Sequence, residues 1–467
     1  MIGARMRMDG VDAAWLRMDK PINPMVINGV FVLAERCTLR QVRALFGRHF
    51  LKHTRFRSVP VQEAVGAAWL EDPSFDLAAH VGTLSLPAGA GQAELEALVG
   101  EQAGRPLDPR RPLWHIDLVP RYRRGSAVLL RIHHCYADGI ALVRVILGLT
   151  TRARGAVPDD LEEASGAPPP EAPLGSWLGP AAQWFGQTLQ GGGELIQTGL
   201  RWLGHPLDAL GEGRQALGIA AEVGALLLLP DEPPGPLRGA LGEAKRVAWA
   251  PPLKLAEVRT ISHVLGCTIN DVLLSVVAGT LGQYLQQHGE STDELILKAT
   301  LPVNMRADDA PALGNRFGMV VLGLPVGIAH PFERLHAVQA SMRALKQSQQ
   351  PAAVLATLSA LGNLPASAQD MAIEILSRKA SVVISNVPGP REPLYLCGKR
   401  ILEMHFWVPQ SGSIGLGISI LSYAGEVHFG LIADAGLIAD PHRIVDAFGA
   451  EFERLLLLTT LGAAPAG

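Results

Sequence analysis

The side chains best able to do chemistry lie close together: His133, His134, Cys135 and Asp138, within His-His-Cys-Tyr-Ala-Asp-Gly ending at Gly139. Imidazole titrates nearest neutrality, so a histidine here can take and return a proton at pH 7. Cys135 offers a thiol that could act as a nucleophile. A structural reading competes with both: two histidines closing a strand, and an aspartate capping the helix that follows. The residues upstream sort the candidates. If extended, they alternate faces, which puts Val128, Leu130, Ile132 and His134 in one row and Leu129, Arg131 and His133 in the other. His134 continues an apolar row and is the expected base. The same alternation turns Cys135 away from His134, which argues against a covalent intermediate on sulfur.

These side chains need a frame. Ala127 to His134 reads as a strand, Ile140 to Leu149 as a helix, and Asp138-Gly139 as the turn between them. Upstream, Met25 to Leu33 reads as a strand and Leu39 to Leu51 as a helix, so residues 1–154 have the alternation of a mixed α/β domain. Residues 155–243 are rich in Pro, Gly, Ala and Gln, which reads as a linker. It carries Trp177, Trp184, Phe185 and Trp202 in amphipathic helical pieces. Regular patterning returns over residues 244–467. Ile269 to Gln287 has helical apolar spacing behind Thr268 and Asp271, which form a capping-box pattern. Strands are expected at Leu295 to Val303, Met319 to Val326, Ala380 to Ser385, Ser413 to Tyr423 and Glu426 to Ile432, with Ala424-Gly425 turning the last pair. Pro441 to Leu458 reads as a closing helix.

The chain has 467 residues, beyond the length at which one core keeps growing, so two domains are expected. A net charge of −3 and a pI near 6.5 leave no electrostatic footprint for nucleic acid. The four cysteines, Cys37, Cys135, Cys267 and Cys397, have no metal-like spacing and fit a reducing cytoplasm. No stretch reads as a spanning helix, so membrane contact, if made, is peripheral.

The pattern His-His-x-x-x-Asp-Gly resembles the signature of the chloramphenicol acetyltransferase-like superfamily, which includes peptide-synthesising condensation domains. The surrounding strings narrow the resemblance. They are Asp12-Ala13-Ala14-Trp15-Leu16, Trp69-Leu70-Glu71-Asp72, Pro112-Leu113-Trp114, Asn270-Asp271, Pro302-Val303-Asn304-Met305-Arg306, Gly314-Asn315-Arg316-Phe317-Gly318 and Ser385-Asn386-Val387-Pro388-Gly389-Pro390. In order and coverage they are similar to the bacterial wax ester synthase/diacylglycerol acyltransferases, nearly end to end.

That resemblance implies an α/β fold of two chloramphenicol acetyltransferase-like domains with a tunnel at their interface. Long-chain acyl-CoA would enter from one face as a co-substrate, and a fatty alcohol or diacylglycerol from the other, with no cofactor and no metal. His134 matches the motif's second histidine, the base; His133 would assist or hold the strand end. Asp138 would hold the turn, with Arg306 as its partner and Gly139 completing the motif. Asn270 would face the oxyanion, and Asp271 would cap its helix. Trp114, Asn315 and Phe317 would line the tunnel, although Trp114 also reads as core and Asn315 as an interface residue. Such substrates place the protein in the cytoplasm at a membrane or lipid-inclusion surface, as a monomer or homodimer. Two other readings stand beside this one: a condensation-type enzyme using a carrier-protein thioester, and a lipid-surface binding protein.

Overall fold

The computed structural model describes residues 5–64, 66–154, 224–226, 228–305, 315, 317–348, 350–361, 366–410 and 412–462. The aromatic part of the linker, with Trp177, Trp184, Phe185 and Trp202, lies outside these residues, as does Arg306. The first half runs β1 (Arg5–Arg7), α1 (Gly10–Met18), β2 (Val26–Leu33), α2 (Leu39–His49), β3 (Ser58–Gln62), β4 (Ala67–Glu71), β5 (Val81–Thr83), α3 (Gln92–Gly104), β6 (Trp114–Tyr122), β7 (Gly125–His133), α4 (Gly139–Leu147) and β8 (Thr150–Thr151). The second half runs β9 (Lys245–Trp249), β10 (Leu253–Lys254), α5 (Leu255–Val264), α6 (Ile269–Gln287), β11 (Leu297–Asn304), β12 (Phe317–Leu324), α7 (Pro331–Lys346), α8 (Gln350–Leu361), α9 (Ala366–Ser377), β13 (Val382–Pro388), β14 (Tyr395–Leu396), β15 (Lys399–Trp407), β16 (Leu416–Tyr423), β17 (Glu426–Asp434) and α10 (His442–Thr460).

Two seven-stranded sheets organise these elements. The C-terminal sheet has the order β10-β17-β16-β13-β11-β12, with β9 also paired to β17. The N-terminal sheet has the order β5-β6-β7-β2-β15-β14-β8. Strands β14 and β15 belong to the second half of the sequence but complete the first sheet. β15 runs antiparallel to β2 from Ile401 opposite Leu33 to Trp407 opposite Asn28. This covers an edge of β2 that would otherwise expose unpaired backbone groups. A division between residues 154 and 244 therefore leaves the C-terminal sheet whole but cuts across the N-terminal one.

Alternation along β7 sends its side chains into two cores. Val128, Leu130 and Ile132 join the large cluster beneath α1 and α4, which also takes in Leu355, Leu358, Val387 and Leu421 from the second half. Ala127 and Leu129 face the other way, with Leu95 and Val99 of α3, Trp249 of β9 and Trp407. Helix α3 reaches β9 through glycine: a Cβ on Gly100 or Gly104 would lie 2.8 Å from the carbonyl oxygens of Lys245 and Glu243. Removing the side chain is what allows helix and strand backbones to approach.

Helix α6 spans the predicted residues. Thr268 accepts from the Asp271 amide at 3.1 Å, and the Asp271 carboxylate accepts from the Thr268 amide at 2.9 Å. Val272 to Thr280 is buried all round, as befits a central core helix. No single helix among the described residues is long and apolar enough to cross a membrane. The Ala424-Gly425 turn is present, with φ of 49° and 86°. Helices α7, α8 and α9 were not anticipated from the sequence. Pro331 at the first turn of α7 was a usable start signal. In α8, apolar residues without a polar face gave no helical period to read.

Candidate active site

The histidine loop is built at the end of β7. His134 continues the chain one residue past the strand, and its amide donates to the Met25 carbonyl at 2.7 Å. Its own carbonyl accepts from Asn315 Nδ2 at 2.8 Å. The imidazole stacks on the Trp15 indole of α1, with ring centres 4.1 Å apart and planes 20° from parallel. Burial drives its pKa down to about 4, against the opposing pull of the Asp138 carboxylate. The ring is therefore neutral at pH 7 and able to accept a proton.

His133 serves the loop. Its Nδ1 accepts from the Cys135 amide at 3.1 Å, which places the ring proton on Nε2, 3.7 Å from Asp19 Oδ1. Asp138 caps α4, accepting from the Ala141 amide at 2.7 Å, and Gly139 opens that helix. Cys135 is fully buried, and burial raises its thiol pKa well above the ordinary value. A thiol held protonated is a poor nucleophile. Alternation does not reach it, because β7 ends at His133 and Cys135 lies in the following turn, in the same core cluster as Val128, Leu130 and Ile132.

Asn315, expected at the tunnel or the interface, is held by two residues not singled out as site residues from the sequence, Asp12 and Arg55. Asp12 of α1 is wholly buried, and burial lifts its pKa to about 6 against the pull of Arg55 and Asn315. Its Oδ2 accepts from Arg55 Nη1 at 3.1 Å. Its Oδ1 accepts from the Asn315 amide at 3.0 Å and from Asn315 Nδ2 at 2.8 Å. Arg55 Nη1 also donates to the Tyr136 carbonyl at 3.0 Å. One carboxylate thus orients two donors that grip the loop at His134 and Tyr136. Asn315 comes from the second half of the chain, so the loop is held at the seam between the halves. Asp12 and Trp15 stand in the first string of the family resemblance, a signal that was available; Arg55 had none.

The remaining expected residues are distributed as follows. Asn270 is buried, not on the helix surface. Its Oδ1 accepts from Asn386 Nδ2 at 2.8 Å, and its own Nδ2 is buried without a hydrogen-bond partner. Asp271 is the helix cap already described. Trp114 is 1% exposed; its indole N–H donates to the Phe56 carbonyl at 2.8 Å, and the ring stacks on His80. That is the core placement, not the wall of a tunnel. Phe317 opens β12. The pairing of Asp138 with Arg306 lies outside the described residues.

Beside β7 lies an apolar cavity of about 50 Å³, walled by Leu130, Ile132, Leu142, Ile146, Met404 and Phe406. It sits between the strand that leads to His134 and the helix that follows the motif. Among the described residues no cluster of His, Cys, Asp and Glu could hold a metal ion.

Comparison with solved structures shows that this arrangement of two sheet-centred halves, with the histidine loop at their seam, is a fold shared with known proteins. The wax ester synthase/diacylglycerol acyltransferase from Marinobacter aquaeolei VT8 superposes with a TM-score of 0.69 at 19% identity, covering 97% of this chain and 100% of that one. The trichothecene 15-O-acetyltransferase TRI3 from Fusarium sporotrichioides superposes with a TM-score of 0.60 at 12% identity, covering 97% and 95%. The wax ester synthase/diacylglycerol acyltransferase catalytic domain matches residues 8–273, and the WS/DGAT C-terminal domain matches residues 313–456. Rv3087 of Mycobacterium tuberculosis, provisionally named a diacylglycerol O-acyltransferase, is 32% identical over 430 residues, covering 89% of this chain and 88% of its own. The chain belongs to the wax ester synthase/diacylglycerol acyltransferase family.

Proposed function

We propose that the protein transfers a long-chain acyl group from coenzyme A to the hydroxyl of a fatty alcohol or a diacylglycerol, with His134 as general base. The observation that carries this reading is the desolvated, neutral imidazole of His134 at the seam. The imidazole takes the hydroxyl proton as the oxygen attacks the thioester carbonyl. The tetrahedral centre then collapses, the C–S bond breaks, and the imidazolium returns its proton to the leaving thiolate. Both reactants held at one seam supply the proximity term. The unpartnered Asn270 Nδ2, at the N-terminus of α6, is the donor assigned to the developing oxyanion. The acyl chain would thread toward the cavity beneath α4. Asp138 supports the imidazolium through its charge while capping that helix. Such substrates partition into lipid, so the protein works at a membrane or inclusion surface, with the aromatic linker as the contacting segment.

The test is a panel of acceptors with palmitoyl-CoA, products resolved by mass, on the parent and His134→Ala. We expect palmitoyl esters from the parent and a loss of about 10² to 10⁴-fold in the variant. Near-parental turnover by the variant removes His134 from the role. Transfer from a carrier-protein thioester but not from the CoA ester would mark a condensation-type enzyme. Vesicle binding without turnover would mark a lipid-surface binding protein.

A further inference from the structure

Two of the four cysteines meet across the exchanged strand, far from the histidine loop. The antiparallel register of β2 and β15 sets Leu33 opposite Ile401. Continued outward, it sets Ala34 opposite Arg400, Glu35 opposite Lys399 and Cys37 opposite Cys397. Contacts along this line bear it out: the Ala34 amide donates to the Arg400 carbonyl at 2.9 Å, and Lys399 Nζ reaches Glu35 Oε2 at 3.3 Å. Both backbones are fixed. The Cys37 amide donates to Ser126 Oγ at 2.9 Å, and Thr38 caps α2 immediately after it. Cys397 and Gly398 form the two-residue turn between β14 and β15, with φ of 51° and 72°.

The two thiols are free and close enough for each to shift the other's pKa. The Cys397 thiol donates to Cys37, which lowers the Cys37 pKa and raises that of Cys397, and the Lys399 ammonium adds to the first effect. Access differs as well. Cys37 is buried, whereas Cys397 is half-buried and lines an open cavity of about 250 Å³ with Gln41, Arg48 and Tyr395. Gln41 Oε1 is in turn 3.8 Å from Cys37 Sγ.

We propose that Cys37 and Cys397 form a dithiol–disulfide site that, on reaction with a low-molecular-weight disulfide, staples the C-terminal hairpin to the N-terminal sheet. The accessible Cys397 thiol must first lose to solvent the proton it shares with Cys37, the slow step; the thiolate then attacks the small disulfide, forming a mixed disulfide and releasing one small thiol. The Cys37 thiolate then attacks the Cys397 sulfur, the mixed S–S bond breaks, and the second small thiol leaves. The protein gives up two protons and two electrons, and the small disulfide is reduced to two thiols. Because the linked residues are so far apart in sequence, the closed loop is long, and the unfolded chain loses correspondingly more freedom.

The experiment treats the full-length protein with oxidised glutathione, blocks remaining thiols by alkylation, and identifies linked peptides by mass spectrometry after proteolysis. Thermal unfolding is followed in parallel. The expected result is a Cys37–Cys397 peptide as the main product and a rise in Tm of about 5 °C, reversed by dithiothreitol and missing in Cys397→Ser. Because Cys397 is half-buried in a turn, that variant tests the site even if Cys37→Ser folds poorly. Glutathione retained on Cys397, a link through Cys135 or Cys267, or four free thiols after treatment would each overturn the proposal.

Discussion

At the scale of single residues, the site turns on charges held out of water. Asp12 has its pKa raised from 3.8 to about 6 by burial. Above that value it is ionised and orients Arg55 and Asn315 on the histidine loop; below it, protonation weakens both bonds. The expected kcat/KM profile therefore declines below about pH 6, and Asp12→Asn removes that decline while lowering the plateau. A limb near pH 6 that persists in Asp12→Asn would assign the titration elsewhere. His134, with its pKa near 4, would titrate well below this. For stability the sign is opposite. A raised carboxyl pKa means that the folded state holds the proton more tightly. The contribution of Asp12 is therefore full below 3.8 and lost as pH rises through 6, so acid loss of activity through Asp12 is not unfolding. Asp138 can be divided the same way. Asparagine caps a helix about as well as aspartate but carries no charge. Asp138→Asn should melt within about 1 kcal/mol of the parent with a lower kcat; an unchanged kcat would leave Asp138 as a helix cap alone.

At the scale of elements, α6 is the rigid spine of the second half. It presents Asn270 from its first turn and crosses α7 and α10 through small residues. A Cβ on Gly279 would lie 2.4 Å from Arg334 Nη2 and 2.5 Å from Glu451 Oε2, the two ends of a buried ion pair. In an isolated helix, alanine in place of glycine gains about 1 kcal/mol. Here the added methyl must displace a paired guanidinium and carboxylate, and separating such a pair costs about 3 to 5 kcal/mol. Gly279→Ala is therefore expected to destabilise by about 2 to 4 kcal/mol net, taking the difference, as read from the midpoint of urea unfolding. A midpoint at or above that of the parent would mean that the pair can shift at little cost.

At the scale of the whole molecule, the proposed substrates partition into lipid, and no single described helix is long and apolar enough to cross a membrane. The proposal assigns surface contact to the linker, where tryptophan suits a boundary between apolar and wet and Arg201 and Arg214 would attract anionic headgroups. Co-sedimentation with anionic vesicles should show binding that is reversible, weakened by salt and reduced in a Trp177→Ser, Trp184→Ser double variant. Equal binding by parent and double variant would place the contact elsewhere on the protein.

Some of this was written in local sequence because its physics is local. The β7 alternation separated Val128, Leu130 and Ile132 from Ala127 and Leu129, although it ends at His133 and does not govern His134 and Cys135 in the turn beyond. The Thr268–Asp271 pattern located the start of α6, and Ala424-Gly425 located a hairpin turn; each depends on neighbours a few residues apart. The order of short motifs carried the family, and with it the two-domain architecture. What only the tertiary structure decided depends on partners tens to hundreds of residues apart. Nothing near Lys399 to Trp407 says that this strand leaves its own half to pair with β2. Nothing near Arg55 says that its guanidinium meets Asp12 and the Tyr136 carbonyl. Asn270 reads as a first-turn polar residue until Asn386 is packed against it. Trp114 reads as core or as tunnel wall until Phe56 takes its N–H. The pKa of His134 follows the same rule: imidazole chemistry belongs to the residue, but the burial that drives it down to about 4 belongs to the fold.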